Sequence, residues 1–194
     1  MLSLILATLM QTAPVVAPTP PPAPATVKVV MTTTAGPITI ALEKDRAPVT
    51  TANFLRYVDA KRLDNISFYR SMKLPWNAGL IQAGQRDMAK RYPGIAHEPT
   101  SKTGLTHTDG AISMARLAPG TATADFSIVV GDMTGLDAKA DDPGFAVFGR
   151  VVEGMEVVKT IWNSPRSPTK GEGVMKGEML EPPVKILTVR RVAQ

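Results

Sequence analysis

From Val27 onward, apolar residues alternate with polar ones: Val27, Val29 and Met31, then Ile38, Ile40 and Leu42, on either side of Ala35-Gly36-Pro37. A period of two interrupted by a turn sequence predicts a pair of half-buried antiparallel strands. The period then lengthens. Between Val49 and Lys61, Phe54, Leu55 and Val58 share one helical face, after Pro48 and with Thr50 or Thr51 placed to cap the first turn. Strand-like runs follow at Ile66–Arg70, Gly79–Ala83, Gly110–Ala115, Phe126–Val130 and Phe145–Val151, separated by Gly-, Pro- and Asp-rich connections. A second helix is predicted over Met155–Trp162, where Met155, Val158 and Ile161 are spaced for burial. A Gly/Pro-rich loop over Ser164–Pro183 and a last strand over Val184–Val192 complete the chain. Short strands at this spacing predict a closed, mainly β barrel.

The segment before Val27 reads differently. Leu2, Leu4, Ile5, Leu6, Ala7, Leu9 and Met10 form an apolar run too short to span a bilayer comfortably, with small residues Ala13 and Ala17 after it. Residues 1–13 are therefore expected to act as a secretory signal, although no Lys or Arg precedes the run; an uncleaved membrane tether is the alternative. Residues 14–26 carry Pro14, Pro18, Pro20, Pro21, Pro22 and Pro24, a density that favours extended polyproline II and predicts a spacer. The folded domain is expected to occupy 27–194.

Composition narrows the functional classes. A chain of 194 residues, 44% hydrophobic, can bury one substantial core, and an aromatic content of 5% means that core is mainly aliphatic. The formal charge of +5 comes from scattered Lys and Arg, so no nucleic-acid partner is expected. The absence of Cys excludes disulfides, thiol catalysis and Cys-built zinc sites. His97 and His107 lack metal-ligand spacing, and the linear sequence presents no Ser/His/Asp grouping or phosphate-binding loop.

Four stretches carry a resemblance to the cyclophilin family. They are Ala47-Pro48 through Asn53-Phe54-Leu55; Phe68-Tyr69-Arg70 followed by Gly79-Leu80-Ile81-Gln82-Ala83-Gly84; Gly110 to Ala115 continuing through Pro119-Gly120-Thr121 to Asp125-Phe126; and Leu136-Asp137 followed by Phe145 to Met155. They occur in the family's order across nearly all of Val27 to Val192. The resemblance implies a closed eight-stranded antiparallel β-barrel capped by two α-helices, with a peptide groove on its outer face and no cofactor. It also implies a prolyl isomerase acting on unfolded or proline-containing polypeptides. With the leader, this predicts a monomer working on exported proteins in the periplasm.

Within that resemblance, Arg70 is the expected catalytic donor and Gln82 its partner. Leu80, Leu136 and Phe145 are expected as apolar lining, and Ala115 and Arg116 as the edge that meets the substrate backbone. Arg116 replaces the family's usual asparagine, a charge expected to favour acidic peptides. Asp125 replaces a glutamine, close enough in the implied fold to pair with Arg70. Gly79, Ser127 and Gly135 stand where aromatic residues are usual, which predicts a shallower and less selective pocket. Trp76, within Ser71–Ala78, is considered as a cover over the groove. A degenerate pocket leaves a second reading, a peptide-binding or chaperone module without catalysis.

Overall fold

The computed structural model describes residues 23–193, so the expected leader at 1–13 and all but the last four residues of the spacer at 14–26 lie outside the described residues. Eight strands are present: β1 (Val27–Thr33), β2 (Gly36–Leu42), β3 (Ile66–Leu74), β4 (Ala78–Gly84), β5 (Ala111–Met114), β6 (Phe126–Val130), β7 (Ala146–Glu153) and β8 (Met179–Arg191). All neighbours are antiparallel, and the order β1-β2-β7-β5-β6-β4-β3-β8 closes where β8 pairs with β1. Among the described residues, closure leaves no unpaired strand edge in the barrel.

The barrel interior is aliphatic, as the composition requires. Val29, Met31, Ile38, Ile81, Ile112 and Ile128 are fully enclosed, and burial of each stabilises the fold by about 1.5–3 kcal/mol. The few rings cluster. Phe54 on helix α1 (Pro48–Asp59) meets Phe126 at 5.3 Å and Phe148 at 5.4 Å between centroids, and Phe68 meets Phe126 edge-on at 6.2 Å.

Two helices plug opposite ends of the β4–β6 ladder. At one end Phe126 pairs with Ala83 beneath α1; at the other Gly79 pairs with Val130. There Trp162 of α3 (Met155–Trp162) donates its indole N–H to the Met72 carbonyl at 2.7 Å. A one-turn helix, α2 (Thr100–Thr103), is additional to the two helices expected.

This docking explains Gly79. A Cβ there would lie 2.9 Å from Trp162 Nε1 and nearer still to the Met72 carbonyl oxygen. The position is glycine because a helix end presses on it, so Gly79 marks a packing contact and not a missing groove wall.

Three local expectations are corrected. Neither Thr50 nor Thr51 caps α1: its N-cap, Ala47, offers no side-chain bond, and Pro48 occupies the first turn, where its missing N–H costs nothing. The cap comes instead from buried Glu98, whose carboxylate accepts from Val49 N at 3.1 Å, Thr50 N at 2.7 Å and Thr50 Oγ1 at 2.6 Å. Ser71–Ala78 forms no cover: β3 continues to Leu74, a turn carries Asn77 at φ 59°, and Trp76 stands 65% exposed at its tip, away from the groove. Finally, β8 begins at Met179, so the end of the expected Ser164–Pro183 loop is already strand. Two prolines hid it, because their lack of N–H reads as a break in any strand pattern.

Candidate active site

The site begins with an irregularity in β3. Phe68 pairs with Ala83 and the next pair is Arg70 with Gln82, so Tyr69 is an extra residue; the β3–β8 ladder shifts at the same place. In a regular strand Phe68 and Arg70 would share a face, and Phe68 is fully buried in the barrel. The bulge turns the alternation over, as bulges beside functional sites do. Tyr69, Arg70 and Met72 all line an outer groove, while Ser71 points inward and donates to the Trp162 carbonyl at 2.6 Å.

Arg70 is fixed from two sides. Its Nη1 donates to Gln82 Oε1 at 3.0 Å, the partnership expected from the sequence. Its Nε donates to Glu178 Oε2 at 2.7 Å, and Nη2 lies at the same distance from that oxygen. Glu178 was not anticipated, because it sits in the segment read as a loop, 108 residues from Arg70.

Asp125 does not pair with Arg70. It accepts the Tyr69 hydroxyl at 2.8 Å and lies 3.7 Å from Arg86 and 3.5 Å from Arg91. The bulge that aims Arg70 toward Glu178 places Tyr69 over Asp125 instead. Burial, reinforced by the Asp125 charge, pushes the Tyr69 phenol well above its ordinary pKa, so it remains a donor.

The nine residues expected to catalyse or contact substrate border one groove of about 630 Å³: Arg70, Gln82, Leu80, Ala115, Arg116, Asp125, Ser127, Leu136 and Phe145. Gly79 removes nothing from it, and Met72, Met114, Met175 and Met179 supply lining that the pattern reading missed. Unbranched, polarisable methionines fill irregular space without the fixed shape of rings. At Gly135, next to the lining residue Leu136, a Cβ would meet open space.

Arg116 is not a free surface charge. Its Nε donates to the Gly144 carbonyl at 3.0 Å, Nη2 reaches the same oxygen, and the guanidinium lies 4.9 Å from the Phe145 ring centroid. Its side chain is 9% exposed, so the charge is held against Gly144 and Phe145 at the groove wall. The Ala115 amide is also engaged, donating to the Asp125 carbonyl at 2.9 Å, so substrate cannot take that N–H without breaking a bond.

Beneath the groove the fold assembles a Ser/His/Asp chain that linear spacing concealed. His107 Nδ1 lies 2.6 Å from Asp137 Oδ1, and its Nε2 lies 2.9 Å from Ser113 Oγ. His107 and Ser113 both border the groove floor, but the His107 side chain is wholly enclosed and Ser113 is 4% exposed, which leaves the hydroxyl little surface to offer a scissile carbonyl. Burial lowers the imidazole pKa against the opposing pull of Asp137. The chain braces the floor: Asp137 also accepts the His107 backbone N–H at 3.0 Å, tying β5 to the Leu136 rim.

Comparison with known proteins agrees with this geometry. Residues 28–191 match the family model for cyclophilin type peptidyl-prolyl cis-trans isomerase/CLD. A peptidyl-prolyl cis-trans isomerase of Acinetobacter baylyi is 35% identical over 163 residues, covering 82% of each chain. Peptidyl-prolyl cis-trans isomerase A of Dickeya dadantii is 37% identical over 136 residues, 69% of this chain and 70% of that one. A cyclophilin type peptidyl-prolyl cis-trans isomerase of Cryptosporidium parvum shares the fold at TM-score 0.70 and 19% identity, over 88% of this chain and 99% of that one.

The chain belongs to the cyclophilin-type peptidyl-prolyl cis-trans isomerases. Its activity is the interconversion of cis and trans X-Pro bonds, which sets aside the reading of a module without catalysis.

Proposed function

We propose that Arg70 is the donor that lowers the rotational barrier, with the proline of an unfolded client seated against Leu80, Ser127, Leu136 and Phe145. The supporting observation is the bulge at Tyr69, which brings a restrained guanidinium out of the barrel and into the groove. Amide rotation crosses about 18–20 kcal/mol because the nitrogen lone pair is delocalised into the carbonyl. As the bond twists, that nitrogen becomes pyramidal and able to accept a hydrogen bond. A guanidinium N–H aimed there binds the twisted state more strongly than the planar one, and only that difference accelerates rotation. Gln82 uses its amide oxygen to hold Arg70, leaving its NH2 for a substrate carbonyl.

The test is exchange of an Ala-Pro peptide measured with wild type and Arg70→Ala. Removing one charge-assisted hydrogen bond of about 1.5–3 kcal/mol slows exchange by roughly 10- to 150-fold. Arg70→Lys is expected to restore little, because an ammonium lacks the planar fork. Equal rates for wild type and Arg70→Ala end this assignment.

The clients we propose are exported polypeptides in the periplasm. The apolar run over Leu2–Met10 and the small residues Ala13 and Ala17 support this, and the proline-rich stretch would space the barrel from any membrane-bound leader. No helix among the described residues is long and apolar enough to cross a membrane. Cell fractionation with mass measurement of the mature N-terminus tests the assignment; a full-length protein in the cytosolic fraction overturns it, and an uncleaved protein in the membrane fraction replaces it with a tether.

A further inference from the structure

We propose that Glu178 is the positioning residue of the active site, holding the Arg70 guanidinium in its working orientation before substrate arrives. The inference rests on the reading of Arg70 as the donor. It deepens that reading by assigning half of the donor's restraint to a residue outside the four stretches that resemble the family.

Glu178 is itself held in place. Its backbone carbonyl accepts from Ser71 N at 2.9 Å, the residue next to Arg70, and its own N–H donates to the Met175 carbonyl at 3.1 Å. The preceding Gly177 has φ 80° and donates to the Lys170 carbonyl at 2.9 Å, closing the 170–177 turn that leads into β8. The carboxylate is thus delivered by backbone pairing, not by a mobile side chain reaching across a surface. It accepts from Nε and lies 2.7 Å from Nη2 while Gln82 accepts from Nη1, so the guanidinium plane is fixed from β4 on one side and from the residue preceding β8 on the other.

An arginine side chain has many rotamers, and one left free would lose that freedom every time it met a twisting amide. Restraint in the resting enzyme removes this loss from the catalytic step. Three of the five N–H groups remain for substrate after Nε and Nη1 have each given one. A carboxylate also draws on the guanidinium charge, so its benefit must lie in placement. Glutamine at 178 offers an acceptor oxygen at the same reach without the charge, and it separates the two effects.

Exchange of a saturating Ala-Pro peptide is measured for wild type, Glu178→Ala, Glu178→Gln and Arg70→Ala, with peptide affinity from titration and the Arg70 Nε–H signal from NMR. Glu178→Ala is expected to lower kcat by about tenfold with affinity within twofold, and to lose the protected Nε–H signal. Glu178→Gln is expected to stay within about threefold of wild type. Should Glu178→Ala not fold, Glu178→Ser takes its place. The proposal is overturned if the truncated variant turns over within twofold of wild type, if its loss lies wholly in affinity, or if Glu178→Gln is as slow as the truncation. Those results with an inactive Arg70→Ala leave the donor assignment standing, whereas an active Arg70→Ala removes that assignment and this one with it.

Discussion

The guanidinium of Arg116 lies over the ring of Phe145, 4.9 Å from its centroid, while bonded to the Gly144 carbonyl that precedes the ring. The charge braces one apolar wall of the groove. Gly144 lets this segment lie against the Leu136–Ala138 backbone: it sits at φ 58°, and a Cβ there would come within 2.6 Å of Ala138 N. Arg116→Ala removes a cation–π contact and a charge-assisted hydrogen bond; loosening of the Phe145 wall is expected to cost peptide binding about 1–2 kcal/mol, weakening it roughly 5- to 30-fold for an Ala-Pro peptide. Titration checks it, and Arg116→Lys should recover little because one ammonium cannot reproduce the fork. An unchanged dissociation constant in the alanine variant would contradict the brace.

Ser127 stands between Gln82 on β4 and Ser113 on β5, facing the groove. Ser127→Phe places a ring in space now bordered by flexible methionines. Burying part of a proline against it adds about 1 kcal/mol, so affinity for Ala-Pro peptides is expected to rise roughly fivefold with kcat within twofold. A fall in affinity would show that the ring obstructs the groove instead of lining it.

His107 is held below its ordinary pKa of 6.5 by burial. As pH falls below about 6.5, the unfolded chain takes up the imidazole proton before the folded one, so the folded state loses stability until its own depressed pKa is passed. Thermal melts from pH 7.5 to 5 are expected to show a declining midpoint, and His107→Gln should flatten that decline while lowering stability by about 1–3 kcal/mol. Parallel slopes for the two proteins would mean that another group governs this window.

Glu98 satisfies two backbone donors and one hydroxyl at the start of α1. Glu98→Ala leaves them unpaired in a buried setting, a cost of about 2–3 kcal/mol, and is expected to lower the melting midpoint by roughly 5–10 °C. Glu98→Gln keeps an acceptor and should lose about half as much. Exchange activity per folded molecule should match wild type in both; a large activity defect would mean that the helix end reports to the groove.

The sequence by itself determined the elements whose signal is local. Alternation in Val27–Leu42 and the short apolar run Phe126–Val130 placed strands where they are observed, and the spacing of Met155, Val158 and Ile161 placed α3 at its full extent. The nine residues named from the motifs border one groove because those motifs also carry the strand order. Tertiary structure alone decided which way Arg70 faces, since the bulge at Tyr69 depends on the registers of β4 and β8 as well as on β3. It also decided that Glu178 reaches Arg70, that Glu98 caps a helix 48 residues away, and that His107 joins Ser113 to Asp137. A period of two or of 3.6 reports how a side chain sits on its own element. Which distant group it meets is fixed only when eight strands close on one another, and no local pattern encodes that closure.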